Sequence, residues 1–512
     1  MAIDKVIVTN VSALSAKYGK TGYGKIDAAL KKLVAADAKR GLVSKVIALD
    51  SKTDMAPYGA PVASAADPKE VKAAIDAIYG KEKPDYILIL GAPDVVPLVP
   101  LKNPVYSAGG DDDRVVPSDL PYACNAGYGT DINRFVGPTR VVGRLPDLVG
   151  AKTPEYLVKL IRLAANYKTL ASTDYQQYFG LSAQVWQNST SLSLTRIFGN
   201  SAAMNIAPPS GPKWTLRQLA PRAHFINCHG AHRDVSYYGQ KGNDYPVAHT
   251  AKNLVRKIVS GTVLAAECCY GAELYDPALT DGQPGIAYTY LGDGAYGVFG
   301  STTIAYGPSS GNGSADLICQ FFLHAVVDGA SLGRATLEAR HQFAGLYSHL
   351  SPTDLKTLAQ FYLLGDPSIH AAAIVPHGLN QTKAFKSAFA VTRDAGVRNL
   401  RRERLHRIGN GLKKDLPPTR SARSGAEPSQ EVARILADAA RESGLGEHAS
   451  LHFHVAHKGG VQKVAGAKRT VHLLTSAAGK GKQKGGAPKR IVALVATAEN
   501  GKLVHLKRLH SR

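Results

Sequence analysis

Along the first hundred residues the apolar positions follow two alternating periodicities. Residues 6–9, 45–49 and 86–90 are short apolar runs rich in β-branched side chains, the pattern of strands buried on both faces. Between them Ile26, Leu30, Leu33 and Val34 recur at helical spacing, as do Val71, Ile75 and Ile78 behind a capping Asp67 and a first-turn Pro68. Strand, helix, strand, helix, strand predicts a parallel sheet covered by helices. A second unit begins near Pro154 with the helical stripe Leu157, Leu160, Ile161 and Ala164. It continues with strands at 224–228, 263–267 and 297–301 and helices at 315–327 and 332–343. Residues 97–133, which contain Gly109-Gly110 and Asp111-Asp112-Asp113, read as a long functional loop region.

The composition changes beyond residue 375. Residues 376–512 hold 27 Lys and Arg against 9 Asp and Glu, so most of the formal charge of +22 belongs to the last quarter of the 512-residue chain. The stretch 398–423 predicts an exposed basic linker. After it, Val432, Ile435, Leu436 and Ala439 form a helical stripe, and 451–455, 470–474, 490–497 and 503–506 alternate like strands. The expected fold class is therefore α/β, with two subdomains at 1–150 and 151–375, mainly parallel sheets sandwiched by helices. A basic linker at 376–425 and a small basic α+β domain at 426–512 follow. No apolar run approaches the roughly 18–20 residues of a bilayer span, and residues 1–10 lack a basic flank leading into an apolar stretch. A soluble, cytoplasmic protein with no membrane partner is expected. Cys124, Cys228, Cys268, Cys269 and Cys319 are an odd, sparse set, which favours reduced thiols over a disulfide framework.

Two strand ends carry the candidate chemistry. Phe225-Ile226-Asn227-Cys228 runs into His229-Gly230, and Val263-Leu264-Ala265-Ala266-Glu267 runs into Cys268-Cys269-Tyr270-Gly271. Parallel strands of one sheet place their carboxyl ends on the same edge, where open α/β sheets bind ligands. That sets an imidazole beside a thiol, the minimum for acyl transfer. Gly230 permits close approach of a substrate to the backbone, and the N–H groups of Gly230 and Cys269 are candidate oxyanion donors.

His229-Gly230 followed by Glu267-Cys268-Cys269 resembles the signature of the caspase-like cysteine peptidases, and the rest of the chain is most similar to the gingipain family within them. The supporting segments are Pro84-Asp85-Tyr86-Ile87-Leu88-Ile89-Leu90-Gly91 through Pro97, Ser118-Asp119-Leu120-Pro121-Tyr122, Val142-Gly143-Arg144-Leu145-Pro146 and Leu364-Gly365-Asp366-Pro367-Ser368. Together they span roughly residues 1–372 in the family's order. The resemblance implies two caspase-like subdomains and peptide-bond hydrolysis through a thioester on Cys269, with His229 as general acid and base. Cys269 is preferred because the family's cysteine lies two residues after the acid, here Glu267; Cys268 then points back into the sheet. The resemblance also places Ser301, Thr302 and Tyr306 along the substrate pocket and implies cleavage after a basic residue (P1), for which Asp147 is the candidate acid. Where a family glutamate would orient the histidine this chain has Thr139, which leaves Asp119 or another acid as the candidate third member, or a bare dyad. Cleavage after Arg or Lys would allow self-processing within 398–423.

Other readings stay open at this point. An inactive caspase-like scaffold could bind nucleic acid or another polyanion through Lys480, Lys482, Lys484, Lys489 and Arg490, non-specifically and with strong salt dependence. His224, Cys228, His229 and His232 opposite Cys268 and Cys269 have zinc-like spacing. No cofactor is required by the peptidase reading and no catalytic metal is assigned, although Asp111-Asp112-Asp113 is either a solvated loop or a structural calcium site.

Overall fold

The computed structural model describes residues 2–308, 310–374, 395–421, 427–445, 448–456, 468–477 and 490–512. The first unit supplies β1 (Lys5–Thr9), β2 (Ser44–Ala48), β3 (Tyr86–Leu90), the hairpin of β4 (Val99–Lys102) and β5 (Val115–Ser118), and β6 (Val142–Leu145). The second supplies β7 (Tyr178–Ala183), β8 (Met204–Ala207), β9 (Ala223–Asn227), the short β10 (His229–Gly230), β11 (Ser236–Tyr238) and β12 (Val247–Thr250). It continues with β13 (Val263–Ala266), β14 (Gly297–Ser301), β15 (Tyr306–Pro308) and β16 (Phe361–Gly365). The apolar runs at β1, β3, β9 and β13 are buried along their whole length because each has a strand on either side and helices above and below. The helix Pro68–Glu82 starts as the sequence predicts, with Asp67 accepting the Lys69 N–H and Pro68 in the first turn.

The two units do not form separate sheets. They share one ten-stranded sheet in the order β2-β1-β3-β6-β16-β14-β13-β9-β7-β8. The seam is β16, parallel to β6 at Leu364↔Arg144 and antiparallel to β14 along its length. Segments that carried the family resemblance place buried ion pairs beside this seam. Arg144 on β6 is fully buried and forks onto Asp119 at 2.9 and 2.6 Å, while its remaining nitrogen donates to the carbonyls of Gly91 and Val96. Asp366, just after β16, receives Lys5 of β1 at 2.7 Å, and Asp37 completes that buried triad at 2.7 Å. Each such buried pair becomes costly once one partner is removed, because the other charge is left uncompensated.

The last quarter departs from the expected linker. Residues Ala395–Asp415 form a helix lying on the first unit: Arg398 pairs with Asp4 at 2.6 Å and donates to the Ile3 carbonyl, and Arg401 reaches Asp85 at 3.5 Å. The arginines read as solvated linker charge are, at these positions, buried partners of acids on the parallel-sheet core. Beyond it come β17 (Thr419–Ser421), the amphipathic helix Gln430–Glu442, β18 (Ala449–Val455), β19 (Arg469–Ala477), β20 (Ile491–Glu499) and β21 (Lys502–Ser511). These strands form a six-stranded antiparallel sheet, β15-β21-β20-β19-β18-β17, whose terminal member is β15 of the second unit. The helix and strands of the tail are thus continuous with the second unit through β15. Lys480, Lys482, Lys484 and Lys489 lie outside the described residues. Among the described residues, no helix is long and apolar enough to cross a membrane.

Candidate active site

Parallel pairing of β9 with β13, Ala223↔Val263 through Ile226↔Ala266, brings the two predicted strand ends to one sheet edge. The backbone then closes further: the N–H groups of Gly230 and Cys269 both donate to a single oxygen, the carbonyl of Arg512, at 3.3 and 3.1 Å. Gly230 is required here, since a Cβ at this position would collide with the Cys269 carbonyl. Two convergent N–H groups on one oxygen are the geometry of an oxyanion hole.

His229 is buried against Trp186, ring centroids 4.2 Å apart, and beside Tyr245. Its Nε2 lies 2.7 Å from Oε1 of Gln240, while the Gln240 amide nitrogen donates to the Gly242 carbonyl at 2.7 Å. The second bond fixes which way the Gln240 amide faces, so Nε2 of His229 carries the proton and Nδ1 keeps its lone pair. Nδ1 has no hydrogen-bond partner among the described residues. Burial, reinforced by the positive charges of Arg512 and Arg490 but opposed by the Gln240 hydrogen bond, pushes the imidazole down to about 3. The Cys269 sulfur accepts from the Ala305 N–H at 3.3 Å and lies 3.5 Å from the Ala305 carbonyl, and burial pushes its thiol up to about 12. Both groups are therefore neutral at pH 7 while this site is covered. Cys268, its sulfur 4.0 Å from the Ile226 carbonyl, faces the sheet.

The covering group is Arg512, the last residue of the sequence, whose side chain enters a closed pocket. Its Nη2 donates to Asp316 at 2.7 and 3.0 Å and to the Pro308 carbonyl at 3.3 Å, and its guanidinium stacks 4.4 Å over the Trp186 ring. Any side chain at Gly307 would strike the guanidinium. Asp316 stands in the first turn of helix Ala315–Val327, where the helix dipole favours an anion. Glu267 lies beside it and is fully buried; desolvation first, then the Asp316 charge, raises its pKa far above the carboxylate range. The pocket thus sets the acid that binds the guanidinium beside a second, desolvated acid whose proton is held tightly.

The other predicted residues are placed elsewhere. Asp147, at the end of β6, commits one oxygen to Lys17 at 2.6 Å and to the Tyr18 hydroxyl, the other to the Ala92 N–H at 2.6 Å. It is an anchor of the first unit, with no free oxygen for a P1 side chain. Asp119 is the partner of Arg144, and Thr139 donates to Asn125; Gln240 occupies the place beside His229 for which Asp119 was the candidate. Ser301 donates to the Cys268 and Thr303 carbonyls and so braces the loop that carries Cys269, whereas Thr302 donates to the Pro117 carbonyl on β5. Tyr306 lines the site through its backbone, while its hydroxyl donates to Asp111 at 2.9 Å. Asp111 and Asp113 share Lys356, and Asp113 also accepts from Tyr270 and from the Ile304 N–H. The acidic run thereby neutralises a buried ammonium and positions the loop after Cys269. His224, a candidate metal ligand by spacing, bonds to Tyr290 and the Pro221 carbonyl, and no group of three or more His, Cys, Asp or Glu among the described residues is placed to hold a metal.

Asp119→Asn is expected to lower stability by about 3 kcal/mol, because it leaves the Arg144 charge buried without its anion, and to leave the pH profile of activity unchanged. Gln240→Glu is expected to do the reverse: a carboxylate beside Nε2 raises the imidazole pKa and moves the acidic limb of the profile upward. Thermal unfolding and pH–rate profiles of the two variants check both expectations.

Sequence reading missed Trp186, Gln240, Asp316 and Arg512. Asp316 carried a faint signal, an acid opening an otherwise apolar helix, but that pattern is equally a dipole-complementing residue. Comparison with known proteins places the chain in context. The model of peptidase family C25 matches residues 2–372. A solved structure of a protease aligns with 99% of this chain and 97% of its own at 13% identity and a TM-score of 0.48. Two structures of the Saccharomyces cerevisiae separase–securin complex align with 46% of this chain and 14% of theirs, at 16% and 14% identity and TM-scores of 0.29 and 0.27. No curated protein matches the sequence.

Proposed function

Because the chain belongs to peptidase family C25, a family of cysteine peptidases with the caspase-like α/β fold, we propose that it is an endopeptidase cleaving after arginine, with Cys269 as nucleophile and His229 as proton carrier. The observation that carries this reading is the pose of Arg512: carbonyl oxygen between the Gly230 and Cys269 N–H groups, guanidinium on Asp316. A substrate arginine in the same pose would have its carbonyl oxygen where the two N–H groups can stabilise an oxyanion.

In the proposed reaction the thiol proton passes to the free Nδ1 of His229 as the sulfur adds to that carbon. The oxyanion is held by the two N–H groups, and the imidazolium returns its proton to the departing amine, leaving a thioester. Water, deprotonated by His229, then adds to the thioester; collapse expels the Cys269 sulfur, which takes the proton back from the imidazolium, and releases the acid product. Gln240 holds the tautomer throughout. Since thiol and imidazole are both neutral in the covered site, proton transfer accompanies attack rather than preceding it. Self-cleavage within 398–423 requires an extended chain; of the described basic residues there, Arg420 is exposed on β17, whereas Arg398–Lys414 are helical.

The test is covalent capture, run on the full chain and on Arg512→Ala, which empties the pocket. A peptidyl electrophile with arginine at P1 is expected to add once, on Cys269, as read by mass spectrometry, and His229→Ala to slow that addition at least about 100-fold. Unmodified Cys269 in both chains, or equal labelling by a citrulline analogue, would overturn the proposal.

A further inference from the structure

The occupant of the arginine pocket belongs to the chain itself. Resting on the peptidase reading, we propose that the C-terminal β-sheet domain is a tethered, substrate-like inhibitor of its own catalytic unit, with Leu509-His510-Ser511-Arg512 filling the subsites that an extended peptide substrate enters. Arg512 engages every group the site offers to a P1 residue: its N–H donates to the Ala305 carbonyl at 2.9 Å, its carbonyl fills the oxyanion hole, and its guanidinium reaches Asp316. The three residues before it lie antiparallel to β15, Ser511 opposite Tyr306, His510 opposite Gly307 and Leu509 opposite Pro308. Extended peptides commonly dock by adding a strand to an exposed sheet edge in this way.

Two further observations make this a built arrangement. β15 is the sixth strand of the tail's own sheet, and β21 is paired along its other edge with β20, from Val492↔His510 to Glu499↔Lys502, so the strand that enters the site is held in register from behind. Ser511 is fixed in the same way, its hydroxyl accepting the Ile491 N–H at 2.8 Å. The tail's core is also the site's wall: Leu509, Phe453 and Val495 pack in one cluster with Cys269, Ile304 and Tyr306. As a result Arg512 is 0% and Cys269 3% exposed. The hold is non-covalent and incomplete, since Nε and Nη1 of Arg512 have no partner among the described residues. A tether of this kind keeps its ligand at an effective concentration on the order of a millimolar, so a tetrapeptide that binds at about 10 μM suppresses the site about 100-fold without extra contacts.

The full chain is compared with Arg512→Ala and Arg512→Lys for two rates: alkylation of Cys269 by the arginyl electrophile, and hydrolysis of a fluorogenic arginyl peptide. Arg512→Ala is expected to react at least tenfold faster than the unaltered chain, with Arg512→Lys between them. Added Leu-His-Ser-Arg peptide is expected to restore inhibition of Arg512→Ala, and the same peptide ending in alanine to be at least tenfold weaker. Equal rates in the unaltered chain and in Arg512→Ala, with both active, would overturn the tethered inhibitor and leave the peptidase standing. No reaction in any chain would overturn both. Should Arg512→Ala fail to fold cooperatively, the Arg512→Lys comparison decides, an unchanged rate there overturning the proposal.

Discussion

Asp316→Asn is expected to erase a preference of at least about 10²-fold for arginine over citrulline at P1. The two side chains have nearly the same shape, so the ratio of their kcat/KM values reads the charge interaction alone. In the unaltered pocket the guanidinium meets a buried carboxylate whose own charge is supported by a helix N-terminus. Taking away that anion leaves a buried cation without compensation, a loss of about 3–5 kcal/mol, and each 1.4 kcal/mol is a factor of ten. Glu267 does not rescue the variant at neutral pH, because burial keeps it protonated. The comparison is made in the Arg512→Ala chain, where the pocket is open to added substrate. A preference for arginine surviving within threefold of the original would show that the charge is read elsewhere.

Cys269→Ala in the same background is expected to lower kcat by at least about 10⁴-fold, the scale set by nucleophile removal in acyl-transfer enzymes, where the oxyanion hole and binding alone leave only a small residual rate. The fold is expected to tolerate the change. The hydrogen bonds of the lost sulfur go to the backbone of Ala305 alone, and single substitutions usually cost about 1 kcal/mol. Steady-state hydrolysis together with thermal unfolding separates the two effects: a normal melting temperature with abolished turnover assigns the loss to chemistry. Turnover retained within tenfold would move the nucleophile to another residue.

How much of this was legible without coordinates differs from element to element. β1, β3, β9 and β13 could be read because strands buried on both faces must be almost wholly apolar, and the helix at Pro68–Glu82 because its cap and first-turn proline are local signals. The helix Ala395–Asp415 could not be read. Its arginines look like solvent-facing charge, and only the acids of a distant segment, Asp4 and Asp85, show what they pair with. Asp147 failed for a related reason: an acid next to a family motif says nothing about which cation will claim it, and Lys17, 130 positions earlier, does so.

The amino-acid order alone was enough to determine the α/β class, the two strand ends bearing His229 and Cys269, and the change of character beyond residue 375, since each rests on interactions within a few residues or on periodicity along one element. Only the tertiary structure decided the seam that merges both units into one sheet, the glutamine beside the histidine, the acid beneath the arginine pocket and the arrival of Arg512 in that pocket. These depend on side chains brought together by the fold, across 11 positions for His229 and Gln240 and 196 for Asp316 and Arg512, where complementarity of charge and hydrogen bonding inside a closed interior, and not any local pattern, selects the partner.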